Sequence, residues 1–525
     1  MTTEEINYRR FFDINELAAI RVEVPEVFKA THRLVFHVLG QQEATGLRID
    51  HPDGLWDPPA YFRRLQESYL LHCLGASGGA SSVSQEDLTK TVGHWLDQQG
   101  ALPCGERAWP LYVAAEKILS EDEALPTDWA VCGTTGYDFL AEVNRLLTDS
   151  SQACQFDRIY GQFTAARADF KKLANSCKKM IRLVAMAGEI NALAHLLDRI
   201  SEKNRRYRDF TLNSLTHGIR EVIACLPVYR TYVNLLNGPS QRDEETIETA
   251  VAEARRQNPR TAHEIFDFIR DTLLLRNVED FRPEDRPGLI EFVMKFQQLT
   301  GAVMAKGVGD TAFYIYNRLV SLNEVGGRPG QFGADVEAFH RSNSERLKNW
   351  PHSMLATSTH DTKRSEDVRA RIQVLSEIPK EWQAGLTRWS RLNAYDFEAQ
   401  IEPNLDAVQE FRLITNGFDA EYGRFSGALM NTITKSGTNS FHGTVFEFLR
   451  NDAMDARGFF DTGKGALKKN QFGYAVGGPA IKDKLFWFTD YQGTRRVDGG
   501  SASEVQVLSQ AERQGRVRVG WRSPN

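Results

Sequence analysis

The chain predicts an α/β fold of (β/α)-barrel type with a large helical insertion, followed by a β-rich fragment. Three observations predict it. Short apolar runs end in a carboxylate at residues 46–50 and 111–116, and residues 356–361 end the same way, which is how barrel strands deliver polar groups to their C-terminal face. Residues 151–290 carry helical apolar spacing. Beyond residue 395 glycine density doubles, with 24 of the 40 glycines before that point and 16 after it, and aromatic or β-branched pulses alternate with turn stretches.

The elements follow in order. Residues 1–150 read as strands and helices of a partial barrel, 151–290 as a helical insertion, 291–394 as a return to the barrel, and 395–525 as β-rich with a poorly ordered end. In the insertion, Leu183, Ala187, Ile190, Ala194 and Leu197 are spaced as one stripe of an amphipathic helix. Thr261 followed by Glu264 reads as a capping box opening a helix through Phe266 and Ile269. Residues 75–82 are a Gly/Ser surface loop. In the tail, residues 444–448 and 485–488 read as strands, with residues 435–439 as a turn between strands.

Composition narrows the function classes. At 525 residues the chain exceeds one hydrophobic core, so two or more domains are expected. A hydrophobic content of 41% and a charged content of 25% are those of a globular protein, and a net charge of -5 provides no basic field for nucleic acid. No run of about 18 apolar residues is present, so no membrane helix is expected, and the first residues do not read as a secretion signal. The six cysteines all precede residue 226 and make no C-x-x-C pair, which argues against a zinc ribbon and suits buried thiols in a reducing cytoplasm. No metal and no organic cofactor is expected.

The candidate chemistry lies in three carboxylates. Arg48 projects from the same strand face as Asp50 because side-chain direction repeats every two residues, and its charge favours an ionised Asp50. Glu116 ends the apolar run from Leu111 to Ala115, an environment that favours a protonated carboxyl. Asp361 follows His360 directly. Taken singly, each carboxylate also reads as a turn residue or helix N-cap, and His360 as a structural histidine.

Taken together, in the order Asp, Glu, Asp, they resemble the α-amylase family of glycoside hydrolases. Further fragments narrow the resemblance to the maltooligosyltrehalose synthases: residues 6–13, 46–58, 133–139, 227–232, 296–300 and 360–367. The resemblance covers residues 6 to about 394 and implies an incomplete (β/α)8 TIM-type barrel. It implies Asp50 as nucleophile, Glu116 as acid and base, Asp361 as transition-state stabiliser, and Arg48 and His360 as substrate-binding residues. The implied reaction turns the reducing-end α-1,4 linkage of a maltooligosaccharide into an α,α-1,1 linkage, in the cytoplasm and without a membrane. It departs from the family in having no Asn-His pair and in carrying Gly309 where a Glu is expected, and the chain reads as truncated at both ends.

The tail resembles another family. Residues 406–411, 420–424, 434–439, 441–443 and 477–486 are similar to the junction of plug and early barrel in TonB-dependent receptors, so the tail is expected to be related to an outer-membrane protein. A chimeric join near residue 395 follows from the two resemblances, and with it an alternative expectation of a non-functional fusion product or a receptor-like transport fragment. Residues 505–525 match neither family. Two short patterns are set aside: Gly75–Gly79 satisfies G-x-S-x-G without a preceding strand, and residues 458–465 approach a P-loop but place Gly465 where a hydroxyl is required.

Overall fold

The computed structural model describes residues 8–76, 84–120, 123–164, 169–234, 237–393, 405–414, 429–454 and 467–498. The Gly/Ser loop beyond Ala76, the P-loop-like stretch, the join near residue 395 and the final 21 residues lie outside these. The chain divides into two units, Met1–Trp389 and Ser390–Asn525.

The first unit opens with a hairpin of β1 (Arg10–Phe11) and β2 (Ile14–Ala18), then α1 (Pro25–Gly40). Three parallel strands follow, β3 (Gly46–Ile49), β4 (Tyr112–Ala115) and β5 (Gly133–Thr134), ordered β3-β4-β5. Arg48 pairs with Ala114 and Ile49 with Ala115, so β3 and β4 end level. The long crossover between them carries α2 (Pro58–Ala76) and α3 (Gln85–Ala101), as a parallel pair requires. Phe28 and Leu39 of α1, Phe62 and Leu65 of α2, Val113 and Ala115 of β4, and Trp129 form one buried core. This is an incomplete (β/α) barrel of TIM type.

The third expected strand end differs. Residues 351–365 are irregular, and Met354 N–H donates to the Thr134 carbonyl at 3.0 Å beside β5. Among the described residues the run Thr357-Ser358-Thr359 pairs with no strand, and its bonds are local: Thr357 Oγ1 donates to Glu366, and the Thr359 carbonyl accepts from Thr362 Oγ1. Residues 353–356 pass so near β5 that a Cβ on Gly133 would meet Ser353 at 2.6 Å and one on Gly136 would meet the Ala356 nitrogen at 2.5 Å. Both glycines also have positive φ, +148° and +90°, which a side chain would oppose.

After α4 (Tyr137–Leu146) and α5 (Ala153–Thr164) comes the helical part: α6 (Phe170–Val184), α7 (Ala187–Ser201), α8 (Leu212–Cys225), α9 (Gln241–Gln257), α10 (His263–Leu273) and α11 (Arg286–Met304). Helices α7 to α11 share a large core that includes Ile190, Leu197, Ile219, Phe268 and Phe292. The stripe from Leu183 to Leu197 is not one helix. Helices α6 and α7 meet at 84°, so Ala187, Ile190, Ala194 and Leu197 are buried while Leu183 is 53% exposed. Periodicity alone cannot register a bend whose two residues, Ala185 and Met186, keep the count. The capping box at Thr261 is also absent: α10 begins at His263 with Ala262 as its cap and no side-chain bond. Helix α11 runs on into a wider π-helical stretch, Ala305–Ala312, and the short α12 (Phe313–Ile315). The unit closes with α13 (Val336–Asn349), α14 (Glu366–Gln373) and α15 (Pro379–Asn393). Among the described residues no single helix is long and apolar enough to cross a membrane.

The second unit contains two antiparallel sheets, β6 (Val408–Ile414) with β7 (Leu429–Thr434), and β8 (His442–Asn451), β9 (Leu467–Ile481) and β10 (Leu485–Asp498) in the order β10-β9-β8. Strands β9 and β10 turn at residues 482–484, where Asp483 has φ +61° and exchanges hydrogen bonds with the Asn439 amide at 2.6 and 2.8 Å. Val445, Phe448, Trp487 and Tyr491 are exposed.

The fully buried Phe268 supports the helical core, so Phe268→Ala should cost ~3–5 kcal/mol. Replacing the exposed Phe163 should change stability by no more than ~0.5 kcal/mol. Urea unfolding of both variants, followed by far-ultraviolet circular dichroism, tests the contrast.

Candidate active site

Because β3 and β4 end level, the residues after them lie side by side. Asp50 follows β3 and Glu116 follows β4, and Glu116 N–H donates to the Ile49 carbonyl at 2.9 Å. The two carboxyl groups influence each other directly, Asp50 raising Glu116 and Glu116 lowering Asp50. Burial, the neighbouring Asp50 carboxyl and the charge of Asp361 push Glu116 up to about 8, against one opposing hydrogen bond from His51 N–H at 2.8 Å. Burial also acts to raise Asp50, but the Glu116 carboxyl, the bond from Arg48 and the charges of Arg48 and His360 outweigh it and hold Asp50 below its ordinary value. At neutral pH one carboxyl is therefore charged and its neighbour carries the proton.

The other sequence candidates gather on the same end. Arg48 Nη2 donates to Asp50 Oδ1, and Arg48 Nη1 donates to His360 Nδ1 at 3.2 Å. His360 Nε2 lies 3.3 Å from Asp361 Oδ1. Asp361 Oδ2 accepts from the Tyr137 hydroxyl at 2.9 Å, and Tyr137 is raised by burial and by the Asp361 and Glu116 charges. All five residues thus meet in one cluster, with Asp50, His360 and Asp361 exposed and Glu116 half-buried.

The groups that hold this cluster are ones the sequence did not single out. Lys117, fully buried, binds Asp53 at 3.2 Å and Glu123 at 2.9 Å and donates to the Ile118 carbonyl at 3.1 Å. Asp53 accepts from the Tyr232 hydroxyl. Burial opposes the charged forms of Lys117 and Asp53, yet their mutual attraction raises Lys117 and lowers Asp53, so both stay ionised. The turn they fix, residues 51–57, is gripped further by Arg230, which donates to the carbonyls of Asp53, Leu55 and Trp56, and by Arg9 and Gln298, which both donate to Gly54. His51 opens that turn with φ +47° and directs its N–H at Glu116. The Asp361 segment has its own support: buried Glu324 accepts from the backbone N–H groups of Lys363 and Arg364 at 2.5 and 2.9 Å. Tyr137, Arg230, Tyr232 and Gln298 fall inside the fragments that carry the family resemblance, and this was the one signal available for them.

The first unit is therefore a partial (β/α) barrel with an acidic cluster at the C-terminal ends of its strands. Its relatives are specific. A protein of Mycobacterium tuberculosis that carries the name maltooligosyl trehalose synthase is 34% identical over 395 residues, covering 71% of this chain and 40% of its own length. The structure of maltooligosyltrehalose synthase from Arthrobacter ramosus superposes with a TM-score of 0.57 at 33% identity, covering 73% of this chain and 42% of that one. The chain thus spans about two fifths of the length of these relatives. Residues 433–523 match the family described as outer membrane beta barrel domain. The TonB-dependent transporter Oar of Myxococcus xanthus is 34% identical over 110 residues, 18% of this chain and 10% of its own length. The chain is homologous to maltooligosyltrehalose synthases over its larger part and to outer-membrane barrel proteins over its tail.

Two outcomes follow from the geometry. Lys117→Met strands two buried carboxylates, so it should cost ~3–5 kcal/mol, and adding Asp53→Asn and Glu123→Gln should recover part of that, as read by thermal unfolding. Glu116 has a folded value of about 8 against an ordinary 4.5, so the folded state binds its proton more tightly. Its contribution is complete below about pH 4.5 and is lost as pH rises through about 8. Stability should fall across that window in the native chain, and Glu116→Gln should remove this part of the slope.

Proposed function

We propose that the first unit processes maltooligosaccharides as a maltooligosyltrehalose synthase does, by retaining intramolecular transglycosylation, in the cytoplasm. The carrying observation is the pair of interacting carboxyls on adjacent, level strand ends, one held low and the other raised to about 8. Asp50 attacks the anomeric carbon while Glu116 protonates the leaving glycosidic oxygen, forming a glycosyl ester on Asp50 and releasing glucose. Glu116, now ionised, removes the proton from the anomeric hydroxyl of that glucose, whose oxygen attacks the anomeric carbon of the glycosyl ester, breaks its bond to Asp50, releases the Asp50 carboxylate and closes the α,α-1,1 linkage. Retaining chemistry needs the carboxyls ~5–5.5 Å apart, with the glycosidic bond entering between them. Asp361, held by Tyr137, faces the cationic transition state, and Arg48 and His360 supply hydrogen bonds to sugar hydroxyls.

Glucose must be turned and recaptured before water attacks, which favours an enclosed subsite. Phe170, at the start of α6, and Tyr229, in the segment after α8, wall a cavity whose lining begins two residues after Glu116 and support this part of the reading. A second reading rests on the tail: its match to an outer-membrane barrel domain favours a receptor-like fragment at a membrane. A chain recovered wholly in the soluble fraction would end that reading.

Incubation with maltopentaose should remove reducing ends while total sugar is conserved. Asp50→Asn and Glu116→Gln should each lower the rate ~10²–10⁴-fold. The reaction needs Asp50 charged and Glu116 protonated, so the rate should fall above about pH 8. Persisting reducing ends under native conditions, or full activity in either variant, would overturn the assignment.

A further inference from the structure

The stretch from Asn323 to Gly327 holds none of the reacting groups, yet two supports of Asp361 trace back to it. Asn323 and Glu324 are fully buried. The Asn323 amide donates to the carbonyls of Phe313 and Tyr316 at 2.8 and 2.5 Å, which fastens the stretch to the end of α12. Gly327 N–H donates back to the Glu324 carbonyl at 2.6 Å and closes a tight turn. Gly326, at φ +76°, lies so close to Tyr137 that a Cβ there would meet the Tyr137 carbonyl oxygen at 3.3 Å. Tyr137 is the residue whose hydroxyl donates to Asp361.

The Glu324 carboxylate reaches the Asp361 loop from its other end. Oε2 accepts from Lys363 N–H at 2.5 Å and Oε1 accepts from Arg364 N–H at 2.9 Å, so each oxygen serves one amide. Two adjacent N–H groups call for an acceptor with two oxygens, which a carboxylate has and a side-chain amide lacks. Only Thr362 separates Asp361 from Lys363, and its N–H and hydroxyl both bond back to the Thr359 carbonyl, at 3.2 and 2.7 Å. A shift of the Lys363 amide is therefore passed to Asp361 through one residue that is itself tied down. Anchoring of α14 does not account for Glu324. Arg369 within that helix already ties it to the loop, donating to the carbonyls of Arg364 and Thr357.

We infer that Glu324 is a positioning residue, holding Asp361 in place beside Asp50 and Glu116 through the backbone amides of Lys363 and Arg364. The inference deepens the reading above and rests on it, because Asp361 acts on a substrate only if that reaction takes place. Burial raises Glu324 above its ordinary value, against the bonds from Lys363 and Arg364 and the charges of Arg369 on α14 and Arg364 on the loop, which are the cations acting on it.

The test is maltopentaose turnover by the full chain and by Glu324→Gln and Glu324→Asp, together with hydrogen exchange at the Lys363 and Arg364 amides. Gln has the shape of the protonated acid and turns an N–H₂ group toward one of the two amides. Glu324→Gln should lower kcat about tenfold, the loss of one charge-assisted hydrogen bond, and leave KM unchanged because no sugar contact is altered. Glu324→Asp keeps the charge and should recover part of that loss. Glu324 is raised and Asp50 is held low, so Glu324 takes up its proton first as pH falls. The native rate should decline on the acid side as Glu324 protonates, and in Glu324→Gln this decline should move to lower pH, where Asp50 titrates. Exchange at the two amides should rise in Glu324→Gln. Thermal unfolding shows whether that variant folds; if it does not, Glu324→Asp carries the test, with a lower kcat and an unchanged KM expected. An unchanged kcat, an unmoved acid limb or undiminished amide protection in folded Glu324→Gln would overturn the inference, as would an unchanged kcat in Glu324→Asp should it stand alone. Full turnover in the variant removes the positioning role and leaves the reaction standing. A native chain without turnover removes the reaction and, with it, the role of Glu324.

Discussion

One buried ion triad carries the arrangement. Lys117 stands immediately after Glu116, and Asp53 stands three residues after Asp50, so their contact ties the two strand ends together at the point where the chain leaves the sheet. Glu123 completes the charge balance on the far side of the ammonium. Three charges taken out of water are expensive unless each is paired, and here every one has a partner at hydrogen-bond range. The triad contributes less as a source of stability than as a device of register. It holds the turn that gives His51 its left-handed backbone and aims the His51 N–H at Glu116. The asymmetry between Asp50 and Glu116 then follows from their surroundings: a guanidinium beside an exposed carboxylate, an apolar strand end beneath a half-buried carboxyl.

What the sequence made legible was the set of groups at strand ends. Arg48, Asp50 and Glu116 follow from a period of two and an apolar run, and both rules hold in parallel strands. His360 and Asp361 were legible through resemblance alone, since their segment is irregular and is positioned by distant groups, Glu324 and Tyr137. Lys117 illustrates what stays hidden. A lysine beside a glutamate in sequence reads as a solvated charge pair, and only the tertiary fold shows it partnered with Asp53 and Glu123 instead. Helix boundaries failed for local reasons: the stripe through Leu183 continues in count across a bend, and Thr261 lies one residue too early to cap α10.

The two units obey different rules. In the first, buried side chains of helices and strands form large shared cores. In the second, long antiparallel strands present aromatic and β-branched side chains outward, as Val445, Phe448 and Tyr491 do. Such surfaces suit a sheet completed by further strands, because a three-stranded sheet leaves backbone groups of both edge strands unpaired. The doubled glycine density has a packing role there: a Cβ on Gly478 would meet the Phe441 ring at 2.4 Å, so glycine clears space for a neighbouring aromatic.

The widened helix at Ala305–Ala312 has a consequence for adaptability. A Cβ built on Gly309 would meet nothing within 4 Å, so this glycine is not demanded by crowding. Glycine inside a helix forfeits about 1 kcal/mol relative to alanine. The position is thus vacant territory on a partly buried stretch, where a new functional group can be installed by one codon change without moving the main chain.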